Sequence, residues 1–598
     1  LPTEIGFLAA HGVPSGLLQD AATIAAITGV SADRVLIAHG LVTEEAFYRA
    51  LAHELGVPFI SHPKVSPKAS YPHSILSGIV PLAQVAPAYA LTPRGSQIAQ
   101  LLHMRPSRGR PIALTTSSAL MRAVFAIQRK GIAHQAAHGL SARYAHLSNH
   151  VDIGAPQIAL LSLAAFAVSF TLVAASERAV MALASLMSPL FFGNVTLRLA
   201  AAFLPSSTSS SLLEHAVPDA QLPTYTVIAA LYREECVAPR LVSALSRLDY
   251  PPEKLDIKLV LEEDDAQTRA VLEALDLPGF MEVIIAPPGA PRTKPRALNV
   301  ALPLARGALT VLYDAEDVPE PNQLRLAAAA FARASAETAC FQAHLTIDNT
   351  KDNWLTRLFT LEYAILFDVI NPGLVEVGCP IPLGGTSNHF RTEALRKVGG
   401  WDAWNVTEDA DLGIRLARFG MRVGDLPSST LEEAPSTLSA WMLQRTRWMK
   451  GFIQTCYCHS RNPWRIFREL GPWRFIGTLI VSAGTVVTAF GYPLFMALAL
   501  NAWLNDPGVY SDTIWIAALE AWSSTLFLVG LMAIAIPALV AIKRRRLWGL
   551  LPWVPLLPVY YLFISLAAWR SLWELVSAPF QWNKTRHGLA RTSRSGLL

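Results

Sequence analysis

Acidic residues gather at two places in the middle of this chain, and a mixed basic and aromatic motif follows them. The run Val311-Leu-Tyr-Asp314-Ala-Glu316-Asp317 ends in three carboxylates. Folding does not ask for them there, because uncompensated like charges cost stability. A divalent cation holding a diphosphate would explain them, since Mg²⁺ or Mn²⁺ takes a few carboxylates together with phosphate oxygens. The plainer alternative is a solvated turn whose acids cap a helix. Thr407-Glu408-Asp409-Ala-Asp411 stands before an amphipathic pattern, Leu412–Phe419. One acid would serve as a helix cap. Three exceed that need, and a carboxylate is suited to take the proton of an attacking hydroxyl. Gln444-Arg445-Thr446-Arg447-Trp448 lies among Trp441, Met442 and Met449. It reads either as an amphipathic helix at a membrane interface or as guanidinium groups facing a departing diphosphate, with a flat ring as a sugar platform.

These residues need a scaffold that brings them to one edge. From about residue 223 to 458, apolar runs (Tyr225–Leu231, Ile257–Leu261, Val283–Ala286, Leu309–Tyr313) alternate with helical stretches. That alternation predicts a parallel sheet with crossover helices. Three of the runs end in polar or acidic residues, where an open α/β sheet binds its ligand.

The 598 residues are 52% hydrophobic and 16% charged, so the apolar residues must cluster. Gln157–Ala175 is an uncharged apolar stretch long enough to cross a bilayer, and a second follows Glu177 and Arg178. Phe475–Trp503 and Thr513–Ile542 form a later pair, ending at Lys543-Arg-Arg-Arg546, which the positive-inside rule places in the cytoplasm. Leu547–Leu575 carries Pro552, Pro555 and Pro558, which suggests a broken, re-entrant or interfacial piece, and its path stays open. The net charge of +5 makes no case for nucleic acid. The five cysteines show no zinc or redox spacing and read as reduced thiols.

Residues 1–62 read as small helices with a weak repeat, Leu8-x-x-His11-Gly12 and Leu36-x-x-His39-Gly40, whose glycines fall where a helix would end. This stretch resembles the amino-terminal domain of type II secretion ATPases, some of which bind cyclic di-GMP. The resemblance implies a docking or packing module, or a site for that nucleotide. Residues 63–150 read as a small α/β extension and a basic helical connector.

In their order, and between apolar segments, the central motifs resemble the processive family 2 glycosyltransferases of the cellulose synthase type. The resemblance covers about residues 223–460, and the flanking segments by placement. It implies a GT-A domain, a Rossmann-like mixed α/β sheet, inserted between transmembrane helices behind a small, mainly helical amino-terminal domain. Asp314 and Glu316, with Asp317 beside them, stand for the family's D-x-D pair, which holds Mg²⁺ or Mn²⁺ and the diphosphate. Thr407-Glu408-Asp409 matches T-E-D and makes Asp409 the general base beside Glu408. Gln444, Arg447 and Trp448 match Q-x-x-R-W, implying donor contacts from Arg447 and acceptor contacts from Gln444 and Trp448. Tyr232-Arg233-Glu234 resembles the nucleotide-binding Y-N-E stretch, from which Arg233 departs; Asp264 and Asp265 stand at the first D-D pair. Lys294-Pro-Arg296-Ala-Leu-Asn299 resembles K-x-x-A-L-N, assigning Lys294 and Asn299 to the donor. Gly384-Gly385-Thr386-Ser-Asn388 resembles the floor of the acceptor site, assigning Gly385, Thr386 and Asn388. Lys584 and Thr585 sit where related synthases carry a gating loop, a basic anchor to anionic lipid being the alternative.

The expected organisation is a helical domain at 1–62, an extension and connector at 63–150, and a transmembrane hairpin at 156–205. A cytoplasmic catalytic domain follows at 215–460, then interfacial and transmembrane helices at 461–576 and a gating loop with basic tail at 577–598. The expected activity is inverting polymerisation of a β-linked glucan, mannan or glucomannan from UDP-glucose or GDP-mannose onto a growing glycan. It would take place at a bacterial inner membrane, with translocation of the product. Transfer of one sugar to a lipid or lipid-linked acceptor is the second expectation. A non-catalytic membrane or secretion component is the third, and it leaves the carboxylates unexplained.

Overall fold

The computed structural model describes residues 1–104, 112–150, 177–205, 217–505, 514–580 and 588–593. The expected first span, Gln157–Ala175, and the gating residues Lys584 and Thr585 lie outside the described residues.

The amino-terminal repeat becomes short helices, including Ser15–Thr28, Ala32–Ala38 and Glu44–Leu55. Gly12 and Gly40 both take left-handed backbone (φ +83° and +68°), so the repeated glycines end their helical turns as glycine alone does without strain. Ile5, Leu18, Phe47, Leu51 and Ile98 give this region a core of its own. Next to it β1 (Ile79–Pro81), β2 (Tyr89–Leu91) and β3 (Ile112–Leu114) form a small sheet, antiparallel then parallel. The long helix Ser117–Arg143 then runs to the large sheet.

That sheet holds β4 (Tyr225–Leu231), β5 (Leu255–Glu262), β6 (Met281–Ala286), β7 (Leu309–Tyr313), β8 (Val318–Pro319), β9 (Thr338–Ile347), β10 (Asn388–Arg391) and β11 (Arg422–Glu432). Their order is β6-β5-β4-β7-β10-β9-β11-β8. The four apolar runs form its parallel half, β6 to β7. β10 then enters antiparallel to both β7 and β9. Its register pairs Asn388 with Leu312, so the loop before β10 opens at the edge where β7 ends in Asp314. One face of the sheet is covered by helices Ala238–Ser246 and Gln323–Arg333. The other is covered by Ser117–Arg143, Lys294–Ala301 and Glu408–Arg418, through Val124, Leu298, Leu412 and Leu416.

Among the described residues, five helices are long and apolar enough to cross a membrane, by length and composition. One, Trp354–Glu376, is mostly buried within the protein, packed on β9 and on the helix Ile514–Arg545. The segment whose path the sequence leaves open becomes a 3-10 stretch, Trp548–Leu556, and a helix, Leu557–Ser577. Both ends of that helix touch the elements packed beside the large sheet. Tyr560 Oη donates to Glu362 (2.6 Å) near its start, and Lys450 Nζ donates to Ala578 O (3.1 Å) at its end. It therefore lies along the Leu438–Ser460 helix, with Leu566, Trp569, Trp573 and Val576 exposed on the outer face. The basic run at 543–546, read from sequence as an orientation signal, has a second use. Arg544 donates to Leu204 O (2.9 Å) and to Asp368 O, while Arg545 donates to Thr346 Oγ1 (2.7 Å) and pairs with Asp368. His344 bridges Asp368 and Asp425 at 2.9 Å on each side, so the apolar helix is clasped to β9 and β11.

Candidate active site

The loop before β10 is held from below. Gly384 N donates to Gln342 Oε1 (2.8 Å), Gln342 Nε2 to Thr386 O (3.1 Å), and Asn388 Nδ2 to Gly384 O (2.6 Å). Gly384 leaves no room for a side chain, since a Cβ there would press on the Phe367 ring at 2.9 Å. Gly385 sits between the two acidic motifs: a Cβ on it would lie 3.7 Å from Asp409 Oδ2 and 3.9 Å from Asp314 Oδ2. Lys294 Nζ pairs with Asp314 and donates to Gly385 O (2.8 Å). Carboxylates far apart in sequence thus flank one point, with an ammonium beside them.

The electrostatics follow from this crowding. Burial, and then Glu408, push Asp409 well above the usual carboxylate range, while Lys294 and Arg447 pull it back. Burial also raises Glu408, again opposed by Lys294 and Arg447. Burial would lower Lys294, but Asp314, Asp409 and Glu408 outweigh it and hold the ammonium above its ordinary value. Glu408 is buried with neither carboxylate oxygen hydrogen-bonded, and Asp409 Oδ1 is likewise without a hydrogen-bond partner. Buried polar atoms are ordinarily satisfied, so these oxygens are what a polar ligand would complete.

The three acids at the end of β7 are engaged differently. Asp317 Oδ2 accepts from Asp314 N (2.7 Å) and from Thr386 Oγ1, and so braces the turn. Glu316 and Asp317 are both buried, and burial, then Asp314, raises each well above its ordinary range. Among the described residues no three His, Cys, Asp or Glu side chains converge as a metal cage. The donor set still fits Mg²⁺ or Mn²⁺ with a diphosphate. Its donors are oxygens, Asp314 keeps 28% of its side chain exposed, and Asp317 Oδ1 is buried without a hydrogen-bond partner.

Helix Glu408–Arg418 carries the second motif on its first turn, and the helix Leu438–Ser460 carries the third. They meet because Gly451 faces Thr407: any Cβ there would fall inside the threonine side chain. Asp411, the third acid, turns into the core to Arg415 (2.7 Å) and His459 (3.1 Å). Gln444 is buried with Oε1 lacking a hydrogen-bond partner, and Arg447 feels Glu408, Asp314 and Asp409 together. Trp448 stacks on Tyr363 at 6.4 Å and 27°. Arg445, within the motif but given no separate role from sequence, braces it. Its guanidinium makes a bidentate pair with Glu362 (2.6 and 2.5 Å) and lies 4.3 Å from the centre of the Trp448 ring and 4.5 Å from that of Phe359. The spacing of Trp441, Arg445 and Trp448, which shares one helix face, was the available signal.

At the other end of the edge, Tyr232 and Asp264 are bridged by Arg292, whose Nη1 donates to Tyr232 Oη (3.3 Å) and Asp264 Oδ2 (2.7 Å). Arg292 lies outside the recognised motifs and only the fold brings it here. The Asp265 carboxylate caps the helix Ala266–Ala274 and accepts from Arg233 N. Glu234 is anchored by its backbone N–H to Thr268 Oγ1 (2.9 Å), close enough to raise Glu316. The Asn299 amide is engaged by the backbone of Ala136 and Trp401.

Residues 309–582 match a family model described as Glycosyl transferase family group 2. Among curated proteins, the chain is 28% identical to "Probable glycosyltransferase YdaM" of Bacillus subtilis, over 39% of this chain and 56% of that one. It is 29% identical to "Beta-monoglucosyldiacylglycerol synthase" of Synechocystis sp., over 48% and 56%. It is 25% identical to "Probable glucomannan 4-beta-mannosyltransferase 1" of Arabidopsis thaliana, over 38% and 43%. The chain spans about half the length of the curated relatives it matches. A solved mannosyltransferase from Pyrobaculum calidifontis, in complex with GDP-Man and Mn²⁺, aligns with 62% of this chain and 99% of its own, at 18% identity and a TM-score of 0.40. The part that matches the glycosyltransferase model begins at β7 of the mixed sheet and runs on through the apolar helices.

Proposed function

With a glycosyltransferase domain as the premise, we propose that this protein transfers a hexose with inversion from UDP-glucose or GDP-mannose to an acceptor hydroxyl, and that repeated transfer builds a β-linked polysaccharide at a membrane surface. The observation that carries the reading is the meeting of Asp314, Asp409 and Lys294 around Gly385. In the reaction Asp409 takes the acceptor hydroxyl proton as that oxygen bonds to the anomeric carbon. The bond from that carbon to the diphosphate breaks on the opposite face. Lys294 and Arg447 supply positive charge where the diphosphate gains its negative charge. Mg²⁺ or Mn²⁺, when bound by Asp314 with Asp317 behind it, would neutralise further charge on the leaving group. Trp448, stacked on Tyr363 and fixed by Arg445, offers an aromatic face to a sugar ring.

The apolar helices, and the tryptophans exposed along Leu557–Ser577, support a membrane-bound enzyme with its catalytic side in the cytoplasm. Transfer of one sugar to a lipid or lipid-linked acceptor is the second reading, favoured by the likeness to the "Beta-monoglucosyldiacylglycerol synthase" of Synechocystis sp..

The test is label incorporation by the purified protein in lipid vesicles, from UDP-glucose and GDP-mannose separately, with Mg²⁺ or Mn²⁺. Alkali-stable polymer, reduced at least about 10²-fold in Asp409→Asn, is the expected outcome. Label confined to solvent-extractable lipid would replace polymerisation by the second reading. Undiminished transfer by Asp409→Asn would remove its assignment as the base.

A further inference from the structure

We propose that Asn299 and Trp404 are positioning residues for the transfer, locking the Lys294 helix and the Asp409 loop onto one turn of the long amino-terminal helix. The inference rests on the glycosyltransferase reading above and adds to it a coupling between the amino-terminal region and the reacting groups.

Lys294 opens the helix Lys294–Ala301, and Asn299 lies on the same helix. The Asn299 amide donates to Ala136 O (3.0 Å) and Trp401 O (2.7 Å), and its oxygen accepts from Trp401 N (3.1 Å). One residue along the same turn, Ala137 O accepts from Trp404 Nε1 (3.0 Å). Trp404 belongs to the loop that leads directly into Thr407-Glu408-Asp409. Thr293 Oγ1 donates to Ala403 O (3.0 Å), which closes the triangle between the lysine helix, the loop and the long helix. The chain after the long helix adds another anchor on the loop, because Asp402 accepts from Ser148 Oγ (3.0 Å) and Asn149 N (2.7 Å). From the opposite side, the Leu438–Ser460 helix holds the same loop through Thr455 to Asn405 (2.9 Å) and Gln454 to Val406 N (3.2 Å).

Ala136 and Ala137 lie inside a continuous helix, so their carbonyls cannot move independently. The ammonium that meets Asp314 and the carboxylate beside Gly385 are therefore referred to one rigid element outside the glycosyltransferase sheet. The Trp404 ring is further confined by His138 (5.5 Å), His150 (4.4 Å) and Phe580 (5.0 Å). These side chains bond backbone groups, so their effect on the reaction passes through Lys294 and Asp409.

The experiment uses the full chain in vesicles, with labelled UDP-glucose and GDP-mannose as probes. It compares Asn299→Asp, Trp404→Phe, their double variant and Trp404→His, which keeps a ring N–H. Trp404→Phe is expected to lower kcat about tenfold with donor KM nearly unchanged. Asn299→Asp is expected to raise donor KM about fivefold or more, and Trp404→His to recover part of kcat. The double variant should lose less than the product of the two, because both act through one turn. Amide exchange over residues 406–410 should quicken in Trp404→Phe while that over 309–313 does not. Wild-type kcat and KM in both single variants, or fully multiplicative losses with unchanged exchange, would overturn the proposal. Should Asn299→Asp fail to fold, the Trp404 pair decides alone, since loss in phenylalanine without recovery in histidine also defeats it. A wild type that turns over neither donor defeats the glycosyltransferase reading instead, and the exchange comparison still judges the coupling.

Discussion

At the scale of single residues, the site depends on side chains whose charge is set by their neighbours. Arg445 shows how one buried side chain fixes the ring proposed to meet the acceptor. Its guanidinium is buried, pairs with both oxygens of Glu362 and faces the Trp448 ring. Lysine keeps the charge but cannot make the fork or lie flat on the ring. Arg445→Lys should therefore lower the melting temperature and raise acceptor KM several-fold while donor KM stays close to wild type, which steady-state kinetics with each substrate varied will show. Several acids could be counted from sequence but not sorted by it. Asp411 and Asp265 have the same chemistry as Asp409 and Asp264. Only their partners, Arg415 with His459 and the helix at Ala266–Ala274, set them apart.

At the scale of elements, two contacts hold the machinery in register. Gly451 lets the Leu438–Ser460 helix rest on Thr407, the first residue of the Thr407-Glu408-Asp409 motif. Gly451→Ala should force these elements apart, costing about 1–3 kcal/mol and most of the activity, a loss that thermal unfolding and rate assays would detect together. The second contact is the His344 clasp. Burial would lower this imidazole, but Asp425 and Asp368 raise it to about 9. A histidine raised on folding stabilises fully below its unfolded value near 6.5 and loses that contribution as pH climbs through 9. The loss is on the order of 3 kcal/mol. Wild-type melting temperature should fall between pH 6.5 and 9.5, and His344→Gln should start lower and flatten that slope. A parallel decline in both proteins would assign the pH dependence elsewhere.

At the scale of the whole molecule, catalytic and apolar parts share elements instead of meeting at a linker. The helix Trp354–Ile365 supplies Tyr363 beneath Trp448 and Glu362 beneath Arg445, and its continuation supplies Asp368 to the clasp. Trp569 and Trp573 face outward from a helix that lies along the catalytic region. In vesicles containing a brominated lipid their emission should be quenched, and Trp569→Ser with Trp573→Ser should remove much of that quenching. Unquenched emission would place this helix away from the bilayer.

The sequence by itself determined the motifs, four parallel strands and the apolar segments, because strand alternation, clustered acids and long uncharged runs are local properties that need no partner. It could not give the antiparallel entry of β10, whose short run Asn388–Arg391 has no periodicity to read and whose register is set by β7 and β9. That entry brings the Gly385 loop beside Asp314. Nor could it give Arg292 at Tyr232, Arg445 paired with Glu362, or Asn299 turned to the long helix. Those outcomes were decided by which neighbour could satisfy each buried or half-buried polar group, a property that exists only once the chain is packed.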